Sequence, residues 1–138
     1  MANILSSVTV IEMGTYITGP AAAMQLADLG ANVIKVERPG MGDPFRAFKG
    51  ELYSPHFQTY NRNKRSIALD TTNPEDLEVM HGLIRDADVF IQNFRLTIKK
   101  PLNRELCLNA HVCDAGRVGG GQDIASLGHD LSPASAVM

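Results

Sequence analysis

The chain has 138 residues, 44% of them hydrophobic and 20% charged, a composition that fits one folded domain and excludes a disordered or fibrous chain. A formal net charge of −2 excludes the strongly basic surface of a dedicated nucleic-acid binder, so no nucleic-acid partner is expected. No run approaches the roughly 18 apolar residues of a membrane span, and no charged leader precedes an apolar run; the expected setting is intracellular, cytoplasmic or mitochondrial, with no membrane partner.

In chain order, the β-branched residues Val8, Val10 and Ile11 predict a strand that runs into Gly14 and Gly19-Pro20. Ala21 to Leu29 are helix formers, Gly30 is a stop signal, and Val33-Ile34-Lys35-Val36 resumes the strand pattern. Together they form one βαβ unit. Such units hold ligands outside the carboxyl ends of their strands, so Gly14 to Gly19 and Glu37-Arg38 are expected at one rim. The turn lacks the full G-x-G-x-x-G pattern of a dinucleotide site. Glu37 has the spacing to read a ribose hydroxyl, and Arg38 suits a phosphate or an adenine face. The same residues also read as an ordinary turn and a charged strand end.

Pro39 to Pro44 carries two prolines and two glycines, which oppose regular structure. Phe45 to Asn63 shows no sustained period and reads as a long surface excursion. Its aromatics, Phe45, Phe48, Tyr53, Phe57 and Tyr60, either fold over a core or hold something flat. Asn61-Arg62-Asn63-Lys64-Arg65 then places three cations and two amides ahead of a strand, a pattern suited to phosphate but equally to a solvated surface.

Arg65 to Asp70 predicts a short strand. Asn73 is the expected helix N-cap, with Pro74 at the first helical position and Glu75 and Asp76 in the first turn. Leu77, Met80, His81 and Ile84 line one face of that helix. Ala87 to Gln92 is the next strand, ending in Asn93-Phe94-Arg95. The alternation predicts an α/β fold, a Rossmann-like parallel sheet with flanking helices, over residues 1–95. Residues 96–138 read as a poorly specified, divergent tail. Within it Cys107, His111 and Cys113 fit no common zinc spacing, so no metal is expected.

The opening strand with Gly19-Pro20, then LADLGANVIKVERPGMGDPFR, YNRNKRSIALD and DVFIQNFR fall in one order. In that order they resemble the amino-terminal part of family III coenzyme A transferases, the group with formyl-CoA transferase, carnitine CoA-transferase and 2-methylacyl-CoA racemases. The resemblance implies coenzyme A as ligand, acyl-CoA and carboxylic acids as small-molecule partners, and interlocked homodimers. It implies CoA contacts from Ile17, Thr18, Arg38, Asn61, Arg62, Asn63, Lys64, Asn93, Phe94 and Arg95. It further implies an aspartate nucleophile that forms an aspartyl-CoA intermediate, and the chain is expected to be incomplete relative to the family, truncated before that aspartate and inactive alone. Gly128-His129-Asp130 is similar to the segment whose histidine is a general base in the racemases, which makes His129 the catalytic candidate. A racemase-like protein and a non-catalytic fragment that binds CoA or an adenine nucleotide remain the alternatives.

Overall fold

The computed structural model describes residues 3–50, 54–94 and 111–114. They form a parallel five-stranded sheet, order β3-β2-β1-β4-β5, in which β1 is Thr9–Glu12, β2 Asn32–Glu37, β3 Arg65–Ala68, β4 Val89–Gln92 and β5 His111–Asp114. The expected α/β architecture is therefore present. Register places Ile11 beside Ile34 on β2 and Phe90 on β4, so the two apolar sides of β1 sit at the centre of the sheet.

Helix α1 (Thr18–Asp28) joins β1 to β2 and covers one face, where Val10, Val33 and Ile91 meet Ala23, Ala27 and Ala31. The small alanines let the helix approach the sheet closely. It ends as the sequence expects: Gly30 has φ 100°, its N–H donates to Ala27 and that of Ala31 to Leu26, a Schellman closure for which glycine is the suited residue.

Helix α3 (Pro74–Arg85) joins β3 to β4 and covers the opposite face with Met80 and Ile84 against Ile11, Val36 and Phe90. The Asn73 side chain accepts from the Glu75 N–H at 2.9 Å, which makes it the expected cap. Met80 is fully buried. Met80→Ala is expected to lower unfolding free energy by about 3 kcal/mol, within the range for truncating a buried large side chain, read from the urea midpoint.

Two segments depart from the sequence reading. Phe45 to Asn63 is not a surface excursion: Pro44–Gly50 forms a 3-10 turn and Pro55–Asn61 a short helix, α2. Seven residues are too few to show a helical period. Their order comes from aromatic packing centred on buried Phe45, whose ring lies 5.2 to 6.3 Å from Tyr16, Phe48, His56 and Tyr60. The second addition is β5, inside the segment read as a poorly specified tail. Four residues, His-Val-Cys-Asp, carry no alternation, and the strand is specified by pairing along β4.

Candidate functional site

At the carboxyl edge of the sheet, the chain leaves β1 toward β2 on one side, while β4 lies on the other. This is where the strand order reverses, and such a switch point opens a crevice for ligands. The turn from Gly14 to Gly19 borders it. A Cβ on Gly14 would sit 2.8 Å from Glu12 Oε1 and 3.0 Å from the Gly19 Cα, so only glycine fits. Tyr16 follows with φ 63°, an uncommon conformation for a bulky residue and a mark of a constrained site.

Asn93, just past β4, stitches the turn in place. Its Oδ1 accepts from the Thr15 N–H at 2.9 Å, and its Nδ2 donates to the Thr15 carbonyl at 2.7 Å and to Thr18 Oγ1 at 3.1 Å. The structure thus brings together Thr18 and Asn93, separated by 75 positions. Ile17 and Thr18 are exposed, and α1 starts without a side-chain cap or an acidic residue in its first turn. No acceptor among the described residues takes the N–H of Ile17, Thr18 or Gly19. A helix start in that state favours an anion.

Behind the turn lies a buried charge cluster. Glu12 and Lys35 occupy the carboxyl halves of β1 and β2 and point, like Val10 and Val33, to the α1 face; both are buried. Lys35 Nζ lies 3.1 Å from Glu12 Oε2, 3.0 Å from Asp43 Oδ2 and 2.9 Å from the Gly14 carbonyl. The Asp43 contact is an ion pair without hydrogen-bond geometry. Lys64 Nζ enters the same cluster, 3.3 Å from Glu12 Oε2, 2.8 Å from the Pro20 carbonyl and 3.0 Å from Asn61 Oδ1. Two carboxylates and two ammoniums balance, as burial of charge demands. Burial pushes the Lys64 ammonium down to about 8, helped by the charge of Lys35 and opposed by Glu12 and Asp43.

A cleft of about 370 Å³ opens beside the ends of β2 and β3, lined in part by Arg38, Met41, Gly42, Arg46 and Ser66. Glu37 lies at its base. It accepts from the Asp43 N–H at 3.0 Å, Arg46 Nε at 2.8 Å, Arg46 Nη2 at 2.6 Å and Ser66 Oγ at 2.7 Å. Four bonds fill the acceptor capacity of a carboxylate, so Glu37 has nothing left for a ribose hydroxyl. Burial pushes its carboxyl up, but the hydrogen bonds from Arg46, Ser66 and Asp43 together with the Arg46 charge outweigh this and hold it at about 2. Arg38 is exposed at the rim; the Asp70 carboxyl, held low first by its hydrogen bonds from Thr72, is lowered further by the Arg38 charge.

The Asn61 to Arg65 run divides. Asn61 and Lys64 turn inward to the buried cluster. Arg62 and Asn63 hold Asp28 at the end of α1, with Arg62 Nε 3.2 Å and Asn63 Nδ2 2.8 Å from Oδ1, and the Arg62 hydrogen bond keeps the Asp28 carboxyl below the usual range. Arg65 is exposed. Phe94 is half-buried, its N–H donating to Gln92 Oε1 at 2.7 Å. Arg95 and His129 lie outside the described residues. Sequence reasoning missed Glu12, Lys35, Asp43 and Tyr16. A signal existed for Lys35, a charge flanked by Ile34 and Val36 in a strand covered on both faces. Among the described residues no group of three or more His, Cys, Asp or Glu side chains is placed to hold a metal, and no helix is long and apolar enough to cross a membrane.

The family model described as CoA-transferase family III matches residues 5–103. Succinate–glutarate CoA-transferase of Agrobacterium fabrum is 43% identical over 100 residues, covering 66% of this chain and 25% of that protein. Formyl-CoA:oxalate CoA-transferase of Rhodopseudomonas palustris is 44% identical over 97 residues, covering 68% of this chain and 23% of the relative. The chain therefore spans about a quarter of the length of these curated relatives. The crystal structure of a CAIB/BAIF family protein from Brucella suis superposes with TM-score 0.72 at 35% identity, over 80% of this chain and 32% of that one. The switch-point turn, the strand order and these matches agree: the chain belongs to CoA-transferase family III.

Proposed function

We propose that the described residues form the coenzyme A-binding rim of an acyl-CoA:carboxylate CoA-transferase. The observation that carries this reading is the exposed, uncapped start of α1, placed by Asn93 at the reversal of strand order. Ile17 to Gly19 offer backbone donors, and exposed Arg38 and Arg65 add charge for the phosphates. Arg38 is the residue to meet the nucleotide, since a guanidinium stacks on a purine and pairs with phosphate, whereas Glu37 is saturated. Asn61, Arg62, Asn63 and Lys64 act from behind, fixing the end of α1 and the base of the turn, and Phe94 follows Asn93 beyond β4.

The acyl-CoA and carboxylic-acid partners follow from the same reading, as does assembly into interlocked homodimers. Transfer needs a carboxylate that attacks the thioester carbonyl, forming a mixed anhydride with the acyl group as the CoA thiolate leaves; that thiolate then attacks the enzyme's own carbonyl, giving an aspartyl-CoA thioester and releasing the donor carboxylate. No described residue is assigned to that step. The rim binds, and the nucleophile belongs outside it.

Thermal unfolding of the chain with CoA tests the binding. A ligand specific for the native state at 100 times its Kd adds about 2.7 kcal/mol and raises the midpoint by several degrees. Arg38→Ala, on an exposed side chain, is expected to weaken that CoA affinity about tenfold without moving the ligand-free midpoint. A melt unmoved by millimolar CoA rules the reading out.

A further inference from the structure

The polar backbone atoms in the first half of the turn are held by side chains. The Gly14 N–H donates to Glu12 Oε1 at 2.6 Å, and the Gly14 carbonyl accepts from Lys35 Nζ at 2.9 Å. Thr15 gives both its groups to Asn93. The Tyr16 N–H donates to Asp43 Oδ1 at 3.3 Å, and the same oxygen accepts from the Phe45 N–H at 2.9 Å. Every polar backbone atom from the Gly14 nitrogen to the Tyr16 nitrogen thus has a side-chain partner, and the next three N–H groups have none among the described residues.

Tyr16 sits at that boundary. Its left-handed conformation is costly for an aromatic residue and persists only where the surroundings over-determine it. Here Asp43 holds its nitrogen and Phe45 its ring, at 5.7 Å between centroids. Asp43 and Phe45 belong to one segment, so a single anchor fixes both ends of the strained residue. Lys35 holds Asp43 in turn, and the Asp43 side chain is fully buried.

We infer that Glu12, Lys35 and Asp43 are positioning residues for ligand binding: a buried charge cluster that locks the Gly14–Tyr16 backbone so that the Ile17, Thr18 and Gly19 N–H groups present together to an anionic ligand. The inference rests on the reading that this rim binds CoA. It sets itself apart from through-space electrostatics by sign. Asp43 is a negative charge behind an anion site, so removing it by field alone tightens the binding of a phosphate-bearing ligand. Removing it as an anchor frees Tyr16 and scatters the donors, which weakens binding.

The test compares three variants of the full chain by titration calorimetry with CoA and by amide hydrogen exchange. Asp43→Ala is expected to weaken CoA binding about tenfold or more, and to speed exchange of the Tyr16 amide. Asp43→Asn keeps an acceptor at Oδ1 for the Tyr16 and Phe45 N–H groups but turns an amide donor toward Lys35 Nζ, so it is expected to lower stability and to weaken CoA binding less than Asp43→Ala does. Met80→Ala, under the opposite face, lowers stability while leaving affinity and the Tyr16 amide as they were. Unchanged or tighter binding by Asp43→Ala overturns the inference, and so does a loss that Met80→Ala shares. Where Asp43→Ala does not fold, Asp43→Asn decides alone: CoA affinity and protection of the Tyr16 amide kept together or lost together support the anchor, and affinity that falls while that amide stays as protected as in the parent overturns it. If the parent chain binds no CoA, the functional reading fails, while Tyr16 exchange in the same variants still decides whether the cluster shapes the turn.

Discussion

Glu12→Ala is expected to cost the chain roughly 3–5 kcal/mol, the loss seen when one member of a buried ion cluster is removed and its partner stays charged. Glu12 is fully buried and lies against both Lys35 and Lys64, so its loss leaves two buried ammoniums with the single carboxylate of Asp43. Such a loss is a large share of the stability of an ordinary domain. The same substitution frees the Gly14 N–H, so the turn loosens with the core. Urea unfolding followed by circular dichroism measures the effect. In the double variant Glu12→Ala/Lys64→Met one uncompensated ammonium is gone, and stability is expected to recover by about 1–2 kcal/mol over Glu12→Ala alone. Strictly additive losses, or a Glu12→Ala cost under about 1 kcal/mol, would show that the cluster does not act as a unit.

The second large effect is acid sensitivity at Glu37. Its carboxyl titrates at about 2 in the fold against an ordinary 4.5, so the folded chain binds its proton less readily than the unfolded one. A depressed carboxylate stabilises fully above the unfolded value, and that contribution is lost as pH falls from about 4.5 through about 2. The difference amounts to at most about 3 kcal/mol, reduced by the water that reaches the Arg46 guanidinium, whose side chain is 32% exposed. Stability measured in urea at neutral pH and at steps down to pH 2 is expected to fall more steeply in the parent than in Glu37→Gln. Asp28 and Asp70, also held low by hydrogen bonds, add the same slope to both proteins, so the difference isolates Glu37. Glu37→Gln is also weaker at neutral pH, since Arg46 loses its carboxylate. Parallel curves would contradict the assignment.

These effects show where sequence reading succeeded and where it stopped. Asn73-Pro74, Gly30 and the apolar runs at Val10-Ile11 and Phe90-Ile91 act within a few residues of themselves, and each sits where its local chemistry places it. The rim was legible too, because parallel strands joined by helices bring all their carboxyl ends to one edge. Lys64 shows the limit. As part of a charged run beside Arg62 and Arg65 it reads as a surface cation or a phosphate ligand, and no local rule turns it inward. Its actual partner is Glu12, 52 positions away, on a different strand.

Readable from the sequence were the succession β1, α1, β2, β3, α3 and β4, the Asn73 cap, the Gly30 stop and the family motifs, since all of these depend on neighbours along the chain. The packing of distant segments, which no local rule gives, separates the charges buried in the framework from those left in water. Glu12, Lys35, Asp43 and Lys64 meet because sheet register and the chain's return over α1 bring four distant segments to one buried point. Burial then forces each charge to find an opposite one, because an unpaired ion in a low-dielectric interior is too costly to keep. Arg38, on the same rim but in water, meets no such demand.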